Sequence, residues 1–160
     1  MNVQSASFQD GGTIPQKHAF NEFGCTGENL SPQLAWSGVP NGAKSFALVM
    51  HDPDAPTSGG FYHWVAFNIP SDTRELKEGA GSDKLGSMIH GVVLGHTDYG
   101  TNAYGGPCPP PGAPHRYDIT IYALDVDKLP LDKNATGAMV EFTVSQHTLG
   151  KANITGLYGR

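Results

Sequence analysis

The sequence has little charge, few cysteines and no long apolar run, and each shortage excludes a class of protein. Charged residues make up 16% of the chain and the formal net charge is −5. No basic run or stripe occurs, so a nucleic-acid groove is not expected. No apolar stretch approaches the roughly 20 residues that cross a bilayer. The first ten residues lack the basic and apolar parts of a secretory signal. We therefore expect a cytoplasmic protein with no membrane span.

The two cysteines, Cys25 and Cys108, are too few for a disulfide framework, and neither lies in a CxxC pair. Two free thiols are expected in preference to a single disulfide. The chain also lacks the G-x-S-x-G elbow, the Walker loop and the G-x-G-x-x-G fingerprint. No nucleophile with an oriented base is evident, so we expect a binding protein without catalytic residues or cofactor, not an enzyme.

Glycine and proline, by contrast, are abundant. The 21 glycines and 12 prolines make up about a fifth of the 160 residues and are spread along the whole chain. This frequency excludes a helical bundle or coiled coil. Dense apolar runs between the polar stretches argue against disorder. Short strands joined by turns fit best, within a single domain over residues 1–160.

The apolar runs predict where the strands lie. Residues 46–50 are continuously apolar, which is typical of a strand buried on both faces. Residues 115–124 alternate apolar and polar side chains, which predicts a half-buried antiparallel strand. Further strands are predicted within residues 8–15, around Leu34 and Trp36, and over 62–69 and 89–94.

Residues 136–149 form the one stretch that predicts a helix of useful length, although the alternation of Val140, Phe142 and Val144 leaves a strand open. Thr136 is a suitable N-cap and Gly150 a suitable C-terminal stop. Runs of strands with one short C-terminal helix predict a mostly β protein, an antiparallel β-sandwich.

Polar side chains cluster where predicted strands meet loops, which is where binding sites usually lie. Asp52 and Asp54 follow a buried strand, and His63 starts the next one. His115 and Tyr117 begin the strand that follows the Gly/Pro-rich loop 95–114, and their spacing puts both on one face. The spacing leaves two alternatives, a shared site or separate loop residues.

As a shared site, these side chains suit a small anion. Two imidazoles and a phenol supply donors, and the Gly105–Gly106 backbone leaves amides open to close approach. An ionised Asp52 keeps both histidines protonated, so the site nets one positive charge and affinity falls as pH rises through about 6.5. Asp52 could instead meet the ammonium of a zwitterionic head group. Two His and one Asp also form a metal triad, but no ligand spacing supports a metal.

Five blocks of the sequence are similar to one known family. They are SPQLAW (31–36), DPDAP (52–56), HWVAFNIP (63–70), GGPCPP (105–110) and HRY (115–117). In these motifs, and in their order over residues 6–158, the chain resembles the phosphatidylethanolamine-binding proteins, also called Raf-kinase-inhibitor-like proteins. Cys25 and Cys108 resemble features of the prokaryotic branch.

The resemblance implies a β-sandwich with an anion pocket at one end, which holds phosphate, acetate or phosphoethanolamine-like head groups. It assigns ligand binding to Asp52, with Asp54 beside it, and to His63, Gly106, Pro107, His115 and Tyr117. It also implies a cis-proline turn at Ala55–Pro56, a homodimer and a regulatory role. The alternatives are an inhibitor that acts on a kinase or protease through its surface, and a hydrolase or metalloenzyme that uses the same Asp and His residues.

Overall fold

The computed structural model describes residues 1–84 and 88–160, which form two antiparallel sheets and a short helix near the C-terminus. The strands in chain order are β1 (Asn2–Gln4), β2 (Leu34–Ser37), β3 (Ser45–Asp52), β4 (Phe61–Pro70), β5 (Glu75–Leu76), β6 (Val93–Leu94), β7 (His115–Leu124) and β8 (Thr148–Tyr158). A 3-10 turn spans Gln16–His18, and helix α1 spans Gly137–Val144. The predicted mostly β fold with one short C-terminal helix is confirmed. In the described parts of the chain, no helix has the length and apolarity to span a membrane.

Strand β3 lies at the centre of the larger sheet, whose strand order is β6-β4-β3-β7-β8. Phe46, Leu48 and Met50 face the core between this sheet and the smaller sheet, β1-β2-β5. Ala47 and Val49 face a second core, beneath α1. Both faces of β3 are therefore covered, which is why residues 46–50 are continuously apolar.

Strand β7 has the bounds that the alternation predicts. Tyr117, Ile119, Ile121 and Ala123 are fully buried, and the intervening side chains are partly exposed. β7 pairs with β8 over its whole length on one side, and with β3 over residues 118–124 on the other. Period-two patterning located this strand because only one of its faces is fully buried.

Strand β8 was not predicted. Thr136 does cap α1, since its hydroxyl accepts from the Met139 amide at 3.2 Å. The helix ends at Val144, however, and Gly150 belongs to β8, where it pairs with Ala123. The sequence of this segment fits both a helix and a strand. Hydrogen bonding to the edge of β7 makes its last part a strand.

Residues 8–15 contain no extended strand, and the first strand lies earlier, at Asn2–Gln4. Phe8 and Ile14 are nevertheless buried. They pack against Gly156, where any larger side chain would collide with them. The predicted strand over 89–94 is also reduced, to Val93–Leu94. Apolar loop residues that fill a core produce the same sequence pattern as a strand.

Cys25 and Cys108 form a disulfide, so the expectation of two free thiols is wrong. Their separation of 83 residues gives no indication of contact. The fold packs the loop around Cys25 against the Gly/Pro-rich loop, and the Phe20 amide donates to the Pro107 carbonyl at 2.9 Å.

The Ala55–Pro56 peptide bond is trans, and no cis bond occurs in residues 1–84 and 88–160. The implied cis-proline turn is therefore wrong. Trans is the intrinsically preferred state of an X–Pro bond, and the turn closes by other contacts: the Thr57 amide donates to the Ala55 carbonyl, and the Gly60 amide donates to the Thr57 carbonyl.

Candidate functional site

The topology of the larger sheet brings the predicted site residues to one edge. β3 ends at Asp52, while its neighbours β4 and β7 begin at Phe61 and His115. Because both pairs are antiparallel, the end of β3 lies beside the starts of the other two strands. Asp52, His63, His115 and Tyr117 converge there, and we call these four residues the cavity floor.

Asp52 and His115 form the best-defined contact of the floor. The His115 Nδ1–H donates to Asp52 Oδ2 at 2.7 Å, and the Asp54 amide donates to Asp52 Oδ1 at 2.8 Å. This bond fixes the imidazole so that Nε2 is the nitrogen left for a ligand. With Asp52 ionised, the pair is neutral when the imidazole is protonated and carries one negative charge when it is not.

His63 lies fully inside the floor, and its protonation state differs from the expected one. Its Nδ1–H donates to the Gly105 carbonyl at 2.7 Å, and its ring contacts the Tyr117 ring edge-on at 5.2 Å between centroids. Burial lowers the pKa of His63 to about 4, despite opposing effects of the Gly105 hydrogen bond and Asp52. His63 is therefore neutral at neutral pH, its Nε2 is an acceptor, and the predicted net positive charge of the floor is wrong.

The Tyr117 hydroxyl is the phenolic donor of the floor. It is completely buried and makes no hydrogen bond of good geometry with the described residues, although the Asp52 carboxylate lies near enough to interact with it. Burial raises the pKa of Tyr117, and the Asp52 carboxylate raises it further, so the phenol stays protonated. A buried hydroxyl without a partner is costly unless a ligand or water completes it.

The floor lies at the base of a cavity of about 410 Å³ with mostly apolar sides. We call the residues around its mouth the cavity wall. The wall comprises Phe23, Pro56, Phe61, Tyr99, Cys108, Pro109, Pro110, Pro111 and Arg160. Ala55 and Thr57 complete the lining. The Tyr99 hydroxyl donates to the Gly106 carbonyl, which leaves the ring as the part of Tyr99 that faces a ligand.

Gly106 and Pro107 are not among the residues that line the cavity, and their role as the backbone surface facing the ligand stays a prediction. The Gly106 amide donates to Asn29 Oδ1 and the Gly105 amide donates to the His63 carbonyl, so neither is free. A Cβ at Gly106 would lie 2.1 Å from the His18 carbonyl oxygen. Glycine is needed there for close packing of two loops.

Asp54 faces away from the cavity floor. Its carboxylate forms a bidentate pair with Arg116, with the shorter bond at 2.8 Å, and accepts the Arg116 amide as well. These hydrogen bonds lower the pKa of Asp54 to about 2. Asp54 and Arg116 therefore balance each other's charge and occupy each other's hydrogen-bonding groups at the rim of the cavity.

Sequence reasoning missed Phe23 and Arg160, which both line the cavity. Phe23 is 74% exposed, and its backbone has a φ of 56°. Arg160 reaches the wall from the end of the chain, where its Nε–H donates to the Pro109 carbonyl at 2.6 Å. Neither residue lies in a recognisable motif, so their positions become visible only once the loops are packed.

The described residues include no cluster of three or more His, Cys, Asp or Glu side chains arranged to hold a metal ion. The Asp52 carboxylate and His63 Nδ1 are directed into hydrogen bonds within the protein. The available polar atoms of the floor are therefore a phenol and two imidazole Nε2 atoms, which suit an oxyanion.

Comparisons with known proteins agree with this fold. The family model described as phosphatidylethanolamine-binding protein matches residues 4–159. The protein YbhB of Escherichia coli is 46% identical over 158 residues, which cover 99% of each chain. The crystal structure of E. coli YbcL, described as a new member of the mammalian PEBP family, superposes with a TM-score of 0.95. YbcL is 41% identical, and the match covers 99% of this chain and 98% of that one.

Proposed function

The chain belongs to the phosphatidylethanolamine-binding protein family, and from that premise we propose that its cavity binds a small anionic, phosphate-bearing ligand. Family membership supports a ligand-binding role in general. The phosphate group, its seat on the cavity floor and a regulatory consequence of binding are our proposal. We propose binding without turnover.

The observation that supports the proposal best is the buried Tyr117 hydroxyl beside the Asp52–His115 pair, which makes no hydrogen bond of good geometry with the described residues. A phosphate oxygen placed there accepts from Tyr117 and, when His115 is protonated, from its Nε2–H. The neutral His63 accepts from a protonated phosphate oxygen, so the floor offers both donors and an acceptor. Oxyacids have the complementary set of donors and acceptors.

Binding can be tested by NMR titration with inorganic phosphate and O-phosphoethanolamine, on the wild type and on His115→Ala in parallel. We expect saturable wild-type binding and a loss of at least about ten-fold in the variant, because His115 makes a charge-assisted hydrogen bond. His90→Ala removes an exposed histidine and is the matched control. Wild-type and His115→Ala curves that coincide would contradict the proposal. Absence of any binding at millimolar ligand would contradict it too, and would favour a surface-acting inhibitor of a kinase or protease.

The cytoplasmic location and the homodimer stay predictions. The Cys25–Cys108 disulfide counts against the first, because disulfides persist mainly in oxidising compartments. Thiol alkylation of freshly lysed cells distinguishes the two locations: blocked thiols indicate the disulfide form in the cell, and alkylated ones a reduced cytoplasmic protein. Sedimentation equilibrium tests the dimer.

A further inference from the structure

We propose that the Arg160 guanidinium is the charge partner of the bound anion, and that the cavity selects an anion on an uncharged apolar body over one that bears an ammonium group. This inference rests on the proposed function and names its ligand class. Four features of the cavity support it: the charge of the floor, the placement of Arg160, the state of its one acidic residue and the composition of the wall.

The floor supplies no net positive charge. The Asp52–His115 pair is neutral or negative, and the buried His63 carries no charge at neutral pH. Tyr99 and Tyr117 are neutral because burial raises their pKa values. Of the described residues that line the cavity, Arg160 alone adds a full positive charge. Attraction of an anion by charge therefore depends on Arg160.

The geometry of Arg160 leaves it available for this role. Its Nε–H donates to the Pro109 carbonyl, and an Nη1–H donates to the Gly24 carbonyl at a long 3.5 Å. Both acceptors are neutral carbonyls, and within the described ranges no carboxylate forms an ion pair with Arg160. The guanidinium has five N–H donors, so most of them remain for an anion. Arg116, the other arginine near the site, is already paired with Asp54.

The cavity has no exposed carboxylate to pair with an ammonium group. Among its described lining residues Asp52 alone is acidic, and its carboxylate accepts hydrogen bonds from His115 and from the Asp54 amide. The residue is only 3% exposed. An ammonium group would be desolvated in the cavity without an exposed ionic partner, which costs binding energy.

The wall instead suits an apolar body. Phe23, Phe61 and Tyr99 present aromatic rings, and Pro109, Pro110 and Pro111 add apolar pyrrolidine rings to the lining. The volume of about 410 Å³ lies within the range of cavities that enclose a small organic molecule. It is larger than a phosphate ion needs. Apolar carbon attached to the anion would be buried against these rings.

The role of Arg160 is tested with Arg160→Gln and Arg160→Lys, titrated with propyl phosphate at pH 7.5 and followed by NMR. Arg160→Gln keeps an N–H donor for the Pro109 carbonyl but removes the charge, and we expect affinity to fall about ten-fold. Arg160→Lys keeps the charge, and we expect most of the affinity to return. Lys128→Gln is the matched control: it removes one exposed positive charge beyond the far end of β7. The two ends of β7 lie about 30 Å apart, which is several Debye screening lengths.

The ligand class is tested by comparing propyl phosphate with O-phosphoethanolamine, which has nearly the same shape but ends in an ammonium group. We expect propyl phosphate to bind the wild type at least about three-fold more tightly, because its terminal carbon is buried against the wall. Equal or tighter binding of O-phosphoethanolamine would overturn the assigned class.

Different results would overturn the proposed function and the role of Arg160. If no phosphate compound binds the wild type, the proposed function and this inference both fall. If the wild type binds and Arg160→Gln binds equally well, or if Arg160→Lys loses as much as Arg160→Gln, the role of Arg160 as charge partner falls while the proposed function stands. The backbone amide spectrum of each variant, compared with the wild type, separates loss of charge from disruption of the wall.

Discussion

The floor and the wall of the cavity are positioned by different means. The floor side chains project from three paired strands and are held by short hydrogen bonds between buried groups. Much of the wall comes from two loops far apart in sequence, joined by the Cys25–Cys108 disulfide and by Arg160. Phe23 in that wall is mostly exposed, whereas Asp52 and His63 in the floor are buried.

This difference separates two tasks. A floor built on a sheet keeps its donors and acceptors in place before a ligand arrives, which reduces the cost of ordering them on binding. A wall built on loops sets the shape and charge of the entrance, and its changes leave the sheet intact. Three perturbations test whether the two parts are as independent as this comparison states.

The largest expected effect comes from removing the disulfide. The double variant Cys25→Ser/Cys108→Ser should lose roughly 2–5 kcal/mol of unfolding free energy, because the unfolded chain is no longer cross-linked over a long loop. Denaturant titration measures this loss. If floor and wall are independent, the imidazole NMR signals of His63 and His115 should not move. Shifts of those signals as large as those of the loop amides would show that the disulfide also positions the floor.

The next effect is the pH dependence that buried His63 gives to stability. Its pKa is about 4 in the folded protein, below the ordinary value of 6.5, so the unfolded chain binds more protons between these pH values. The contribution of His63 is therefore complete above pH 6.5 and is lost as pH falls toward 4. One pKa unit corresponds to 1.36 kcal/mol, so the loss of unfolding free energy is about 3 kcal/mol.

Denaturant titrations at several pH values measure the loss of unfolding free energy. His63→Gln should remove the part of the pH dependence that His63 contributes. His90→Gln, which replaces an exposed histidine, should keep the slope. A wild-type slope equal to that of His63→Gln would show that His63 is hydrated and not part of a rigid floor.

The smallest expected effect on stability is that of Tyr117→Phe. The hydroxyl makes no hydrogen bond of good geometry with the described residues, so its removal should change the unfolding free energy by no more than about 1 kcal/mol. Phosphate affinity should fall roughly five-fold, since a donor is lost. Tyr104→Phe is the matched control, because the Tyr104 hydroxyl donates to the His18 carbonyl at 2.8 Å and its loss should destabilise the fold. Destabilisation of Tyr117→Phe as large as that of Tyr104→Phe would assign Tyr117 to the fold instead of the ligand.

The cavity floor also shows which properties of a site can be predicted from sequence and which cannot. The apolar patterns placed Asp52, His63 and His115 next to strands, but the spacing left open whether they converge, and only the family resemblance implied a shared site. The protonation of His63 was predicted wrongly. The charge of His63 depends on how deeply it is buried, and burial depends on rings from Phe61, Tyr99 and Tyr117 that only the folded chain brings together.

By itself the sequence determined the central strands, the helix cap at Thr136 and the residue types of the floor, because these follow from local periodicity and from side-chain chemistry. The tertiary structure decided the Cys25–Cys108 bond, strand β8, the place of Arg160 and the burial of Gly106. Each of these depends on contacts between segments distant in the chain. Long-range contacts leave no periodic pattern in either segment, and they are formed only when burial of the shared core brings the two segments together.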